Sequence, residues 1–152
     1  MNLRRAKTNE VEVLNRLAIE SESYWGEDEN YMNLFTEKYK VTENMISNDY
    51  VYVMVDNKRL IGFFAILINQ HQDIPELELF YVEKSMIGKG YGTLLWTNMI
   101  SLCKEKGIRK IEFIGSNDVS DFYINRGAKE IEKIESVLKV GRIVSRLEFE
   151  IA

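Results

Sequence analysis

Residues 88–92 read Gly88-Lys89-Gly90-Tyr91-Gly92, glycines at alternate positions just ahead of a segment with helical periodicity. Glycines at such a junction leave successive backbone N–H groups unhindered. At the positive end of a helix those groups can hold a phosphate or pyrophosphate. The stretch is not a Walker loop, because no Gly-Lys-Ser or Gly-Lys-Thr closes it, and it lacks the dinucleotide G-x-G-x-x-G spacing. On the residues alone, a turn leading into a helix explains it equally well. Upstream, Glu76 and Glu78 alternate with apolar residues. A carboxylate beside a reacting group can act as a base, and a solvated strand face shows the same pattern. Downstream, Tyr123 follows Phe122, and its phenol can donate a proton or pack as an aromatic.

Several elements must position these residues. Residues 3–6 read as a short strand, and Asn9 with Glu12 three positions on has the spacing of a helix N-cap and its reciprocal acid. Val11, Leu14, Leu17 and Ala18 recur at helical spacing, so a helix runs to about Ser23, with one or two short helices over 28–48. Residues 50–55 and 60–68 form a hairpin about Asp56-Asn57-Lys58-Arg59. Residues 69–75 are a polar connection in which His71 reads as an exposed loop histidine. Residues 76–82 are a strand. If it is regular, positions 76, 78 and 80 share a face, and a bulge would change which side chain points where.

Tyr91, Leu94, Leu95, Met99, Leu102 and Cys103 mark one face of a long helix, closed by Lys104, Lys106 and Gly107. Residues 111–114 are a strand, Asn117 or Asp118 caps a short helix ending at Arg126-Gly127, and residues 128–134 and 143–151 are further strands. Hairpins mixed with strand–helix–strand units predict an α/β (α+β) fold, with a mixed, mostly antiparallel central sheet and helices on both faces.

A length of 152 residues fits one domain, expected over 1–152. With 20 basic and 24 acidic residues and a net charge of −4, the chain has no basic footprint for nucleic acid. The longest apolar stretch, residues 60–68, is far short of a membrane span. The basic start of the chain leads into Thr8-Asn9-Glu10 and not into an apolar run, so a cytoplasmic location is expected. One Cys and one His offer neither an internal disulfide nor a soft-ligand metal set, and no metal is expected.

The glycines and their surroundings resemble the GNAT superfamily of acyl-CoA N-acyltransferases. Its signature is Arg or Gln, two residues, Gly, any residue, then Gly or Ala, and Ile87 to Gly92 occupy that frame. The preceding strand with Tyr81-Val82, the long helix, the next strand, Asn117 and Phe122-Tyr123-x-x-x-Gly127 extend the likeness over roughly the whole chain. Two positions depart from the pattern: Ile87 stands for Arg or Gln, and Lys84 stands where many members have proline.

The resemblance implies acetyl-CoA as cosubstrate. The pyrophosphate would lie on the main chain of Ile87, Gly88, Lys89, Gly90, Tyr91 and Gly92. The pantetheine arm would lie along Leu79, Phe80, Tyr81 and Val82, with Asn117 and Phe122 beside it. It also implies transfer of acetyl to a primary amine by direct attack in a ternary complex. Glu76, eleven positions before Ile87, is the first choice of base and Glu78 the second. Tyr123 would return a proton to the departing sulfur, and main-chain N–H groups over 79–82 would meet the developing oxyanion. Cys103 sits in the apolar helix pattern and reads as packing.

The acceptor would be a small-molecule amine met by the first helices, the hairpin connection and the last strands. Tyr24, Trp25, Glu27, Asp28 and Tyr31 supply acids and aromatic faces suited to a cation, as an ordinary solvated loop would. Two other readings stand beside this one: a non-catalytic acyl-CoA sensor or interaction module, which Ile87 keeps open, and a domain whose glycines are only a turn. An exposed final strand could pair across a two-fold axis into a homodimer.

Overall fold

A computed structural model describes residues 1–68, 73–116 and 118–151 of the chain. In chain order the elements are β1 (Asn2–Arg5), α1 (Val11–Ser23), α2 (Glu29–Lys38), α3 (Glu43–Asn48), β2 (Tyr50–Asp56), β3 (Arg59–Leu67) and β4 (Glu76–Val82). Next come α4 (Tyr91–Glu105), β5 (Lys110–Gly115), α5 (Ser120–Ile124), β6 (Lys129–Glu135) and β7 (Ile143–Glu150). The strands form one sheet in the order β1-β2-β3-β4-β5-β7-β6, antiparallel throughout except between β4 and β5. His71 and Asn117 lie outside the described residues.

Local chemistry accounts for most boundaries. Asn57 and Lys58 both have positive φ, 48° and 66°, the conformation a two-residue hairpin turn demands. The Asp28 carboxylate accepts from the Tyr31 N–H at 2.8 Å and the Thr42 hydroxyl from the Met45 N–H at 3.2 Å, capping α2 and α3. Gly107, at φ 75°, ends α4 as its position implied. The expected cap at Asn9 gives way to a short 3₁₀ turn, Thr8–Glu10, in which Glu10 reaches back to the Lys7 N–H at 2.8 Å. Asp118 does not cap α5, whose start is held by the Ser120 hydroxyl donating to the Ser116 carbonyl at 2.7 Å.

The core lies on both faces of the sheet. Leu14, Leu17 and Ala18 of α1, Phe35 of α2 and Ile46 of α3 cover Val51, Val53, Phe63, Ala65 and Leu79. Leu95, Trp96, Met99, Leu102 and Cys103 of α4 cover Met54, Phe64, Ile66 and Leu77 on the other. Leu77 and Leu79 therefore face opposite ways, although residues two apart on a regular strand face the same way. The cause is a bulge: Ala65 pairs with Leu79 and Ile66 with Leu77, which leaves Glu78 unopposed. Consequently positions 76, 78 and 80 do not share a face, and Phe80 packs on the α4 side.

Among the described residues β4 and β5 pair only at Glu76 opposite Glu112, supported by the Glu112 N–H on the Pro75 carbonyl at 3.1 Å, and then diverge. The final strand is not an edge. β7 lies between β5 and β6, so β1 and β6 are the outer strands.

Candidate active site

The divergence of β4 and β5 opens a cavity of about 610 Å³, lined at one end by Ile87, Gly88, Gly90, Gly92 and Thr93 and at the other by Glu22, Trp25, Tyr31, Phe35, Tyr39, Glu76 and Glu78. Phe80, Tyr81, Val82, Phe122, Tyr123 and Arg126 line the stretch between. The Glu83 N–H donates to the Ile61 carbonyl at 2.7 Å, and the register runs through Val82 opposite Gly62 and Tyr81 opposite Phe63. By the alternation of an antiparallel ladder, Phe80 and Val82 turn their N–H groups away from β3, toward the fork.

At the glycine end, Gly88 and Gly90 have φ of 81° and 87°, and a Cβ on either would meet nothing within 4 Å. Gly90 is the N-cap of α4, and its carbonyl receives the Leu94 N–H at 3.3 Å. The main-chain N–H groups of residues 88–93 make no close, well-aligned hydrogen bond among the described residues. Open space, left-handed glycines and unpaired donors at a helix start fit a diphosphate. Gly92 has a separate role: a Cβ there would lie 3.3 Å from the Phe122 ring, so the small residue lets α5 pack on α4. Lys89 is exposed and does not line the cavity, Tyr91 packs on the α4-side core, and Leu79 is buried under α1.

The two glutamates differ sharply. Arg146 donates to Glu76 at 2.5 Å and to Glu112 at 3.1 Å, a triad set where β4 and β5 still touch. Burial raises the Glu76 carboxyl above its usual range, and the Arg146 guanidinium pulls it back. Glu78, at the bulge, has no ion-pair or hydrogen-bond partner among the described residues. Burial, helped by the Glu76 charge, pushes its carboxyl up to about 7. The Tyr123 ring packs against Phe113 at 4.7 Å and Phe80 at 6.1 Å. Burial raises its phenol well above the ordinary value, so the hydroxyl keeps its proton.

Around the far end, Tyr31 is buried and donates to Glu22 at 2.8 Å, and Tyr81 donates to the other oxygen of the same carboxylate at 2.8 Å. Trp25 lines the cavity, whereas Tyr24 is half-exposed and stands edge-on to Trp25 without reaching it. Glu27 pairs with Arg142 at 2.7 Å and Asp28 with Lys139 at 3.6 Å, tying the α1–α2 loop to the β6–β7 hairpin. Among the described residues no group of three His, Cys, Asp or Glu side chains is placed to hold a metal.

The sequence model of the acetyltransferase (GNAT) family matches residues 13–127. The chain belongs to that family. It is an acyl-CoA-dependent N-acetyltransferase. Solved structures share the fold at low identity. PaiA N-acetyltransferase from Thermoplasma acidophilum, in complex with coenzyme A, is 20% identical with a TM-score of 0.78, covering 98% of each chain. An aminoglycoside 6′-N-acetyltransferase complexed with coenzyme A is 16% identical with a TM-score of 0.70, covering 100% of this chain and 98% of that one. The ribosomal-protein-S18-alanine N-acetyltransferase from Escherichia coli is 10% identical with a TM-score of 0.73, covering 99% and 94%. No curated protein compared with the chain matches it.

Sequence reasoning about this acetyltransferase missed Glu22, Arg126 and Arg146. Glu22 stands four residues after Ala18 and eight after Leu14, at the margin of the core-facing stripe of α1, and Arg146 is one of several charged residues on an alternating strand. Glu22 meets Tyr81 across 59 positions, Arg146 meets Glu76 across 70 and Arg126 meets Thr93 across 33, and no local spacing marks such pairings.

Proposed function

We propose that this acetyltransferase transfers the acetyl group of acetyl-CoA to a primary amine by direct attack in a ternary complex, with Glu78 as base. The observation that carries the reading is the forked cavity itself, which has unpaired backbone donors at its glycine end and an unpaired carboxylate at the other. Acetyl-CoA, when bound, supplies an acetyl thioester as the electrophile. The loop amides of residues 88–93 hold its diphosphate, and the open edge of β4 runs beside the pantetheine arm.

An alkylammonium of pKa about 10.4 must lose a proton before it can attack. Glu78, with its carboxyl at about 7, is partly ionised at neutral pH and accepts that proton on a carboxylate oxygen. Glu76 is less suited, because Arg146 already occupies its oxygens. The Phe80 and Val82 N–H groups donate to the carbonyl oxygen as it gains charge. The attacking nitrogen sheds its second proton as the C–S bond breaks, and Tyr123 relays it, giving its phenolic proton to the departing sulfur and regaining one from that nitrogen through water. The Glu22 and Glu78 carboxylates, with the faces of Trp25, Tyr31 and Tyr39, favour a cationic acceptor.

Titration calorimetry with acetyl-CoA tests the cofactor site on wild type and on Gly90→Glu, which puts bulk and negative charge at a left-handed glycine. Saturable binding to wild type, lost in the variant, is the expected result. A panel of amines assayed by CoA release should then yield a mass-confirmed acetyl product, with Tyr123→Phe slower by about 10²-fold. Wild type that folds but binds no acetyl-CoA would overturn the assignment.

A further inference from the structure

We propose that Arg126 is a cofactor-binding residue whose guanidinium neutralises the diphosphate of CoA at the α4 end of the cavity. The inference rests on the acetyl-CoA reading and adds to it the cation that the glycine loop lacks. Ile87 opens that loop without charge, and Lys89, its only charged residue, is exposed and does not line the cavity.

Among the described residues two arginines line the cavity, Arg126 and Arg142. Arg142 is engaged by Glu27 at 2.7 Å, whereas Arg126 has no carboxylate partner among the described residues. Its guanidinium lies 3.5 Å from the centre of the Phe122 ring, a cation–π contact that fixes its plane. One terminal nitrogen donates to the Phe122 carbonyl at 2.7 Å, and the other bonds the hydroxyl of Thr93, in the first turn of α4. The Nε atom is buried and has no hydrogen-bond partner among the described residues.

Each terminal nitrogen keeps an N–H that these two contacts do not use, and a cation without a counter-charge favours an anion that can accept from them. The group is held rigidly, by contacts that leave its charge uncompensated, beside main-chain N–H groups over 88–93 that themselves make no close, well-aligned hydrogen bond among the described residues. Donors of one polarity converge from two elements on one corner, and an anion with several acceptor oxygens satisfies both sets. A diphosphate has that chemistry, and guanidinium binds it through charge-assisted, often bidentate hydrogen bonds.

The test is titration calorimetry on the full chain with CoA, dephospho-CoA and pantetheine, comparing wild type with Arg126→Gln, Arg126→Lys and Thr93→Val. Arg126→Gln should weaken CoA and dephospho-CoA by the same factor, about tenfold or more, and leave pantetheine unchanged. Arg126→Lys should recover part of the loss, and Thr93→Val, which frees one tether, should lose less than Arg126→Gln. The KM for acetyl-CoA should rise while kcat at saturation holds. Equal binding by wild type and Arg126→Gln overturns the proposal. So does a loss confined to CoA, which would move the contact to the 3′-phosphate, or an equal loss for pantetheine, which would make Arg126 structural. If wild type binds none of the three, it is the cofactor reading beneath the proposal that fails. Should Arg126→Gln not fold, Arg126→Lys and Thr93→Val carry the same comparison.

Discussion

Glu76 and Glu78 stand two positions apart on one strand and have opposite surroundings. One is saturated by a guanidinium, and the other is left alone at a bulge. The difference gives a paired prediction for Glu78→Gln. As base, Glu78 should make activity rise as pH passes about 7, and Glu78→Gln should lower kcat by about 10²- to 10⁴-fold without altering CoA affinity in calorimetry. The effect on stability has the reverse sense. A folded-state carboxyl at about 7 sits above its unfolded value, so the native state holds more protons between the two. Its contribution is fully present below the unfolded pKa and is lost as pH rises through about 7. Glu78→Gln should therefore be more stable than wild type at pH about 8, by roughly 1–3 kcal/mol. Denaturant unfolding at acid and alkaline pH should show that gain only in the alkaline arm, and a loss there would contradict the assignment. Neither effect was legible from the alternation of acids along β4, because the register slip is set by pairing with β3 and the burial by the elements that line the cavity around it.

At the scale of elements, the site exists because two parallel strands touch once and part. Arg146 on β7 bridges Glu76 of β4 and Glu112 of β5 at that contact, so the apex of the fork is held by charge as well as by backbone. Removing one member of a largely buried triad leaves carboxylates uncompensated. Arg146→Gln should cost about 2–3 kcal/mol in denaturant unfolding. It should also move the rise of activity to higher pH, because the guanidinium holds the Glu78 carboxyl down. A stability loss with an unmoved pH profile would separate the fork from the chemistry. The strands and helices around this fork were largely readable, since period-two and helical apolar patterns come from residues near one another in sequence. The parting of β4 from β5 was not, because neither strand's own residues encode how far its partner runs beside it.

For the molecule as a whole, the cavity is closed at its acceptor end by segments distant in sequence. Arg142 of the β6–β7 connection pairs with Glu27, and Lys139 with Asp28, drawing the hairpin onto the α1–α2 loop. Glu27 is only 8% exposed, so its partner matters more than a surface pair would. Arg142→Ala should raise the KM for the amine several-fold while leaving CoA binding at the far end intact, which steady-state kinetics and calorimetry can separate. An unchanged amine KM would make the two ion pairs irrelevant to the acceptor.

From the sequence alone came the features whose causes are local. They are the glycines before α4, the hairpin turn within Asp56-Asn57-Lys58-Arg59, the amphipathic faces of α1 and α4, and the mixed sheet those units imply. Tertiary structure alone decided what depends on distant residues meeting. The bulge strips Glu78 of a partner, Arg146 takes Glu76, two tyrosines from different elements converge on Glu22, and β6 covers the final strand that sequence placed at the edge. The physical reason is range. Backbone preference and side-chain periodicity act over a few residues, whereas burial, ion pairing and strand order are set only when the chain has closed on itself.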